Sequence, residues 1–157
     1  MSVAAEERRI KKALERVEAL EEVAGTFDES DGRKATLHRI IWALLTDIGP
    51  VRPSIAAHLL QLSEPTVRTW TREGVLITAE QAAKPSLLDP HRVHEVMHLI
   101  HRLRAAGRER NLLEAVWHRL SDRSVLERED LQESLEQMRN GEGRPLTSGE
   151  LERRALP

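Results

Sequence analysis

The chain of 157 residues contains no cysteine and no tyrosine, and it has a single phenylalanine. Without thiols it cannot form disulfides, thiolate metal sites or cysteine nucleophiles, which argues against a small secreted module and agrees with a reducing compartment. Aromatic residues make up only 3% of the chain, too few for a protein that stacks single-stranded bases on a row of rings. We therefore expect a cytoplasmic protein that is not a single-strand binder.

Long apolar runs and an excess of one charge are missing as well. Residues 1–22 carry a charge every few positions, so this stretch has neither the apolar centre of a signal peptide nor a membrane span. The 24 Lys and Arg residues nearly balance the 26 Asp and Glu residues, which leaves a net charge of −2. Any attraction to nucleic acid must therefore be local, and residues 31–92 do hold eight basic against six acidic residues.

Motifs that assemble an active site are absent from the sequence. It contains no phosphate-cradling glycine loop, no serine-centred nucleophile motif and no paired carboxylates in an apolar setting. We therefore expect no enzyme activity, with no catalytic residue and no cofactor.

Apolar residues at helical spacing predict the first two helices. In residues 3–24 they recur in steps of three and four among charged residues, and a polar linker follows over 25–34. This N-terminal segment, residues 1–30, has the length for a short dimer coil, and packing on the rest of the chain is an equal alternative. A wider apolar stripe over 37–48 predicts a core-facing helix that Thr36 caps.

Two short helices joined by a tight turn follow, within a predicted domain of residues 36–121. The first extends from about 54 to 62, and the second covers 66–73, after Ser63 as its N-cap and Pro65 in its first turn. This arrangement is a helix-turn-helix unit, in which the first helix needs small side chains so that the second can cross it closely.

The second helix of this unit holds the candidate DNA contacts. Arg68 and Arg72 are four residues apart, so both project from one helix face, with the hydroxyl groups of Ser63, Thr66 and Thr69 nearby. Arginine pairs bidentately with guanine, whereas serine and threonine mostly contact phosphate. The pattern therefore predicts that this helix enters the major groove.

A small β wing is predicted after the helix-turn-helix unit. Residues 75–78, VLIT, form a β-branched apolar run, and Leu87 and Leu88 follow a polar tip, so two short strands fit this stretch.

Further helices are predicted downstream. Asp89 and Pro90 form an N-cap and first-turn pair that opens a helix ending at Gly107, and another helix covers 112–120 with Trp117 buried. The predicted fold class is therefore all-α with a small β wing: a winged helix-turn-helix core with an N-terminal helix and a C-terminal helical tail.

Two motifs resemble a known family. The run TVRTWTREGVL at 66–76 resembles the T-x-R-x-aromatic-x-x-x-G-L-L signature of the MerR-like winged helix-turn-helix superfamily, which includes excisionase-like proteins. The stretch HRVHEVMHLIHRLRAAG at 91–107 is similar to the post-wing helix of that family, which often ends in Leu-Arg-x-x-Gly. The resemblance covers about residues 52–120.

The resemblance implies DNA-binding roles for particular residues. Arg68 and Trp70 would lie on or beside the DNA-facing side of the recognition helix, and Lys84 would lie on the wing. The chain departs from the family on the wing, where it has Lys84, Leu87 and Leu88 instead of an arginine and an aromatic residue. It also lacks the metal-binding cysteines of many full-length members, so the resemblance implies no metal sensing by that route.

Four histidines share one face of the helix predicted after the wing: His91, His94, His98 and His101. Spacing of this kind can present imidazoles to zinc. No carboxylate or thiol stands at a fitting step, because Glu95 lies on another side of the helix. We therefore predict no metal site and expect a solvated or phosphate-facing surface.

The tail of residues 122–157 has two interpretations. Apolar residues at helical spacing between 126 and 138 can form one more amphipathic helix before a disordered end. Alternatively, residues 126–147 loosely resemble the toxin-wrapping tails of antitoxins, which fold on their partners.

Together these patterns predict a sequence-specific double-stranded DNA-binding transcriptional regulator. We expect a homodimer, because Glu64 and Glu73 weaken the attraction of a single copy for DNA. The alternatives are an antitoxin that binds its toxin through 122–157 and autoregulates its promoter, or a helix-turn-helix adaptor that binds proteins. The predicted DNA contacts are Ser63, Thr66, Arg68, Thr69, Trp70, Arg72 and Lys84.

Overall fold

The computed structural model describes residues 1–80, 84 and 86–139 of the chain. That part contains six α-helices: α1 (Val3–Ala24), α2 (Gly32–Ile48), α3 (Pro53–Leu60), α4 (Glu64–Arg72), α5 (Pro90–Ala105) and α6 (Leu112–Arg139). The chain divides into two compact units, Met1–Trp117 and His118–Pro157, and the first unit holds α1 to α5. Within the described ranges, no helix combines the length and the apolar character needed to cross a membrane.

The N-terminal helix α1 packs on the core of its own unit, mainly against α2. Its buried residues are Ile10, Leu14, Val17 and Ala24. A polar contact reinforces this packing, because the Arg9 guanidinium donates to the carbonyl of Ile48 at the end of α2, at 3.2 Å. The sequence allowed two roles for this apolar stripe, a dimer coil or packing on the rest of the chain. The structure shows the second, because the stripe is buried within this chain.

Helix α2 begins earlier than predicted. Asp31 is its N-cap and accepts a hydrogen bond from the backbone N–H of Arg33 at 2.9 Å, so the helix starts at Gly32 and the assignment of Thr36 as the cap was wrong. The core-facing side of α2 buries Ile41, Leu45 and Ile48.

Helices α3 and α4 form the predicted helix-turn-helix. Gln61 adopts a left-handed conformation with φ of 53° and turns the chain between them. Ala56 and Ala57 on α3 are buried, and their small side chains allow the buried Val67 and Trp70 of α4 to approach closely.

The predicted β wing is not present among the described residues, and this part of the predicted fold class was wrong. The run that was expected to form its first strand instead ends α4. The backbone N–H groups of Val75 and Leu76 both donate to the carbonyl of Trp70, at 3.0 and 3.2 Å. Because these two N–H groups already cap the end of α4, they cannot donate to a neighbouring strand. Residues 75 and 76 therefore end the helix despite the β-branched composition of this run.

Leu88 makes isolated bridges in place of the second strand. It exchanges two hydrogen bonds of 2.8 Å with Val51, before α3, and forms a second antiparallel bridge to Thr78. Its side chain is only 1% exposed. Two backbone hydrogen bonds flank the Thr78 bridge, from Asp89 to the carbonyl of Ile77 at 2.8 Å and from Ala79 to the carbonyl of Leu87 at 2.9 Å. The two ends of the segment between α4 and α5 are therefore joined by a single bridge instead of a pair of strands, and Leu88 also fastens this segment to Val51.

Helix α5 packs against α2 and α3 in the first unit and buries Val93, Val96, Ile100 and Leu103. The predicted burial of Trp117 was wrong, because its side chain is 45% exposed. Its ring lies beside Gly74, which has φ of +83° and where an added Cβ would stand 3.6 Å from the ring.

The helix predicted over 112–120 continues as α6 to Arg139, so the backbone of the segment between 126 and 138 is helical. The predicted disordered end lies outside the described residues, as does the rest of the antitoxin-like stretch 126–147 beyond Arg139.

Candidate nucleic-acid interface

Helix α4 has one buried face and one exposed face. Val67 and Trp70 are 0% and 3% exposed, whereas the side chain of Arg68 is 68% exposed. Burial of Val67 and Trp70 fixes the rotation of the helix about its axis. Arg68 and Arg72 are therefore held on the outer side.

The two predicted arginines lie one turn apart on this outer side. Arg68 forms an ion pair with Glu64, one turn earlier, at 3.5 Å between Nη2 and Oε2. Arg72 donates a hydrogen bond to the Thr69 hydroxyl at 3.2 Å. Both contacts are exposed, and exposed ion pairs and hydrogen bonds of this kind contribute little free energy. A phosphate or a base edge can therefore replace them.

An open groove of about 690 Å³ runs beside these arginines. Arg68, Thr69 and Arg72 line it from α4, and Thr78 and Ser86 line it from the segment between α4 and α5. Thr71 also lines the groove, which thus combines two guanidinium groups with four hydroxyl groups. Guanidinium and hydroxyl groups are the side-chain donors most used to bind phosphate oxygens.

Ser63 and Thr66 build the start of α4. The Ser63 hydroxyl accepts from the backbone N–H of Thr66 at 3.2 Å, and the two hydroxyl oxygens are 2.7 Å apart. The Thr69 hydroxyl donates to the carbonyl of Pro65 at 3.1 Å. These predicted site residues are therefore brought together on the first turns of one helix, where they order the helix as well as offering oxygen atoms.

The remaining two predicted residues stand apart from this group. The Trp70 ring belongs to the core, so it has almost no surface to offer a ligand. Lys84 is exposed on the segment between α4 and α5, outside any helix.

Arg104 on α5 supports this surface from behind, and the sequence did not single it out. Its guanidinium donates to the carbonyl of Leu60 at 2.9 Å and to the carbonyl of Gln61 at 3.0 Å. These carbonyls lie at the end of α3, where helix geometry leaves them without a backbone partner. Arg104 therefore fixes the turn of the helix-turn-helix. The available signal was the Leu-Arg-x-x-Gly ending, in which Arg104 follows the buried Leu103.

A second polar cluster joins α1 to α5, and we call Glu21, His94 and His98 the histidine cluster. The Nε2 atoms of the two histidines are 2.9 Å apart. The Glu21 carboxylate lies 3.1 Å from Nε2 of His94 and 2.8 Å from Nε2 of His98. The expectation of a solvated histidine face was wrong for His94, which is 7% exposed and is contacted by the Glu21 carboxylate of α1.

Burial sets the protonation of His94. It lowers the pKa of His94 below the usual range, and the nearby His98 lowers it further, while the Glu21 carboxylate acts in the opposite direction. Burial is the largest of these effects, so the His94 imidazole is neutral near pH 7 and keeps a free nitrogen lone pair. Neutral imidazole is the form that binds metal ions.

The other two histidines of the face are placed differently. His91 stacks on Trp42 with ring centroids 3.8 Å apart, and its Nε2 lies 2.9 Å from the Thr46 hydroxyl. His101 is exposed. Among the described residues, His94 and His98 are the two of these four histidines that meet a carboxylate in an arrangement able to hold a metal ion.

Comparison with known proteins does not decide the function of this surface. No protein-family model, curated protein or solved structure matches the chain.

Proposed function

We propose that this chain is a sequence-specific double-stranded DNA-binding protein that acts as a transcriptional regulator and inserts α4 into the major groove. One observation carries the proposal. Val67 and Trp70 hold α4 in the core, and this leaves Arg68 and Arg72 exposed one turn apart along an open groove. An exposed helix with arginines at this spacing is the element that helix-turn-helix proteins place against base edges.

The contacts divide into two kinds under this proposal. Arg68 lies at the middle of α4 and reaches guanine, where its two donors pair with O6 and N7. Arg72 and Lys84 bind phosphates, and the hydroxyl groups of Ser63, Thr66 and Thr69 position the helix on the backbone.

The surrounding structure supports this role by keeping the helix rigid. Arg104 holds the turn before α4, and Ser63 caps the first turn of α4 itself. A contact helix that is already ordered loses less conformational entropy when it binds.

The family resemblance and the charge pattern extend the proposal. The resemblance to MerR-like proteins at 66–76 and 91–107 agrees with DNA binding through α4. Because Glu64 and Glu73 offset the two arginines, we propose that a homodimer binds a site made of two half-sites. We also propose a cytoplasmic location, with which the absence of cysteine agrees.

The test is selection of a preferred duplex from a random library, followed by fluorescence anisotropy on the selected duplex and on a scrambled one. We expect inverted half-sites and tight binding of the selected duplex alone. Arg68→Ala should weaken that binding by about 1–3 kcal/mol and relax the preference at one base pair, as the loss of a bidentate base contact does.

A matched control comes from α2. Arg39 donates to the Thr36 hydroxyl three residues earlier at 3.3 Å, the same kind of contact that Arg72 makes with Thr69. Arg39→Ala should leave DNA affinity unchanged, whereas Arg72→Ala should reduce it on every sequence. Equal and weak binding of both duplexes by the unmodified protein would overturn the proposal.

A further inference from the structure

We propose that Glu21, His94 and His98 form a binding site for one Zn²⁺ ion that fastens α1 to α5. This proposal does not depend on DNA binding, because the histidine cluster lies on residues outside the α4 surface. It departs from the expectation of no metal site, which rested on finding no carboxylate near the histidines in the sequence. The carboxylate is present, but it comes from α1.

The geometry of the cluster matches the ligand atoms of a zinc site. Zinc bonds of about 2.0–2.1 Å at tetrahedral angles place two ligand atoms about 3.3 Å apart. The three separations in the cluster are 2.9, 3.1 and 2.8 Å. Small rotations of the side chains therefore open the triangle to the size that the ion requires.

The helix geometry supplies two of these ligands in the correct direction. His94 and His98 are four residues apart on α5, so their rings project from the same face, and both present Nε2 to the same point. Glu21 approaches this point from the last turns of α1. A ligand set assembled from two helices holds those helices together when the ion binds.

The protons of the cluster also favour a cation. An imidazole Nε2 carries at most one hydrogen, and an ionised carboxylate carries none. Three short contacts therefore share at most two hydrogens, so they cannot all be simple hydrogen bonds. A single Zn²⁺ ion would satisfy both Nε2 lone pairs and the carboxylate charge together.

The ligand types determine which ion fits, and the exposure of the ligands determines whether it can enter. Two imidazoles and one carboxylate suit Zn²⁺ and related transition metals, whereas Mg²⁺ and Ca²⁺ prefer oxygen atoms alone. The side chains of Glu21 and His98 are 31% and 35% exposed, while that of His94 is 9% exposed. The ion thus has a path from solvent, and water can complete a tetrahedral site with three protein ligands.

The experiment uses the full chain without a histidine tag, treated with EDTA and then freed of chelator. Calorimetric titration with Zn²⁺ should give one ion per chain, and saturation should raise Tm by about 5–10 °C, as a ligand that binds only the folded state does. Co²⁺ should give the intense visible absorption of a tetrahedral site.

The variants are made at Glu21 and His98, which are partly exposed, so that their substitution does not unfold the chain. Glu21→Gln and His98→Ala should each weaken Zn²⁺ binding at least tenfold, since even the loss of an outer-shell partner costs about 10–100-fold. His101→Ala, at the next histidine of the same helix, should bind Zn²⁺ like the unmodified chain. Absence of Zn²⁺ binding, preference for Mg²⁺, or equal binding by all three variants would overturn the proposal.

Discussion

At the scale of single residues, Glu64 is the group that limits the proposed DNA contact. Its side chain is 46% exposed and pairs with Arg68, so it occupies the guanidinium that we propose contacts guanine and places a negative charge beside it. Glu64→Gln should raise affinity for the selected duplex about two- to fivefold for each chain that contacts it, since an exposed pair of this kind contributes at most about 1 kcal/mol. Fluorescence anisotropy at one fixed salt concentration measures the change.

Glu22→Gln on α1 is the control for Glu64→Gln, because it makes the same change in net charge at another exposed position. It should leave DNA affinity unchanged. A fall in affinity for Glu64→Gln, with an altered base preference, would contradict the prediction and indicate that Glu64 accepts a hydrogen bond from cytosine.

At this scale the sequence predicted the arginines of α4 but not the histidine cluster. The shared face of Arg68 and Arg72 follows from their four-residue spacing, which the sequence shows, whereas the burial of Trp70 in the core was not predicted. The roles of His94 and Glu21 depend on contact between residues more than seventy positions apart, as the His98 to Glu21 separation of 77 illustrates. Helical spacing on α5 alone contains no information about α1.

At the scale of secondary-structure elements, Ser63 separates the stability of α4 from its proposed contact with DNA. Ser63→Ala removes the N-cap and should lower the free energy of unfolding by about 1 kcal/mol. Ser63→Asp keeps an acceptor for the Thr66 N–H, so stability should be retained, yet the added negative charge should weaken DNA binding. Urea unfolding and anisotropy on the same variants give the two readouts.

The two Ser63 variants predict opposite patterns, which makes the outcome easy to judge. If Ser63→Asp bound DNA as well as the unmodified chain, the start of α4 would not approach phosphate. If Ser63→Ala lost DNA binding without any loss of stability, the hydroxyl itself would be the contact.

Arg104 connects α5 to the turn of the helix-turn-helix. Its substitution should mainly lower the free energy of unfolding. Arg104→Met keeps the apolar stem of the side chain but removes its hydrogen bonds to two backbone carbonyls and to the Gln61 side-chain oxygen, which should cost about 2–4 kcal/mol. Arg102→Met, on an exposed position of the same helix, should cost far less. The urea midpoint at unchanged slope measures both, and equal midpoints for the two variants would contradict the role of Arg104.

Caps and apolar stripes made most elements of the first unit predictable, and the β wing shows where such signals fail. The caps of Ser63 and Asp89 lie where the sequence indicated. Residues 75–78 have a strand-like composition, but the N–H groups of Val75 and Leu76 are bound to the end of α4. The β-propensity of these residues was overridden by the helix cap, and the geometry of that cap depends on the three-dimensional course of the chain.

At the scale of the whole molecule, charge limits how the chain can bind DNA. The net charge is −2, so no general attraction to the polyanion is expected, and binding must come from a few local cations. The proposed surface offers Arg68, Arg72 and Lys84 in each chain. This small number makes the salt dependence of binding a sensitive measure of how many copies engage.

The logarithm of the association constant should fall linearly with the logarithm of salt concentration. A homodimer in which Arg72 and Lys84 of each chain bind phosphates should give a slope of about −4, and a single chain about −2, because each neutralised phosphate contributes about −0.9. Arg72→Ala should reduce the slope of the dimer by about 2, whereas Arg39→Ala should leave it unchanged. A slope near zero would contradict binding through phosphate contacts, and a slope near −10 would require cations beyond the α4 surface and the segment that follows it.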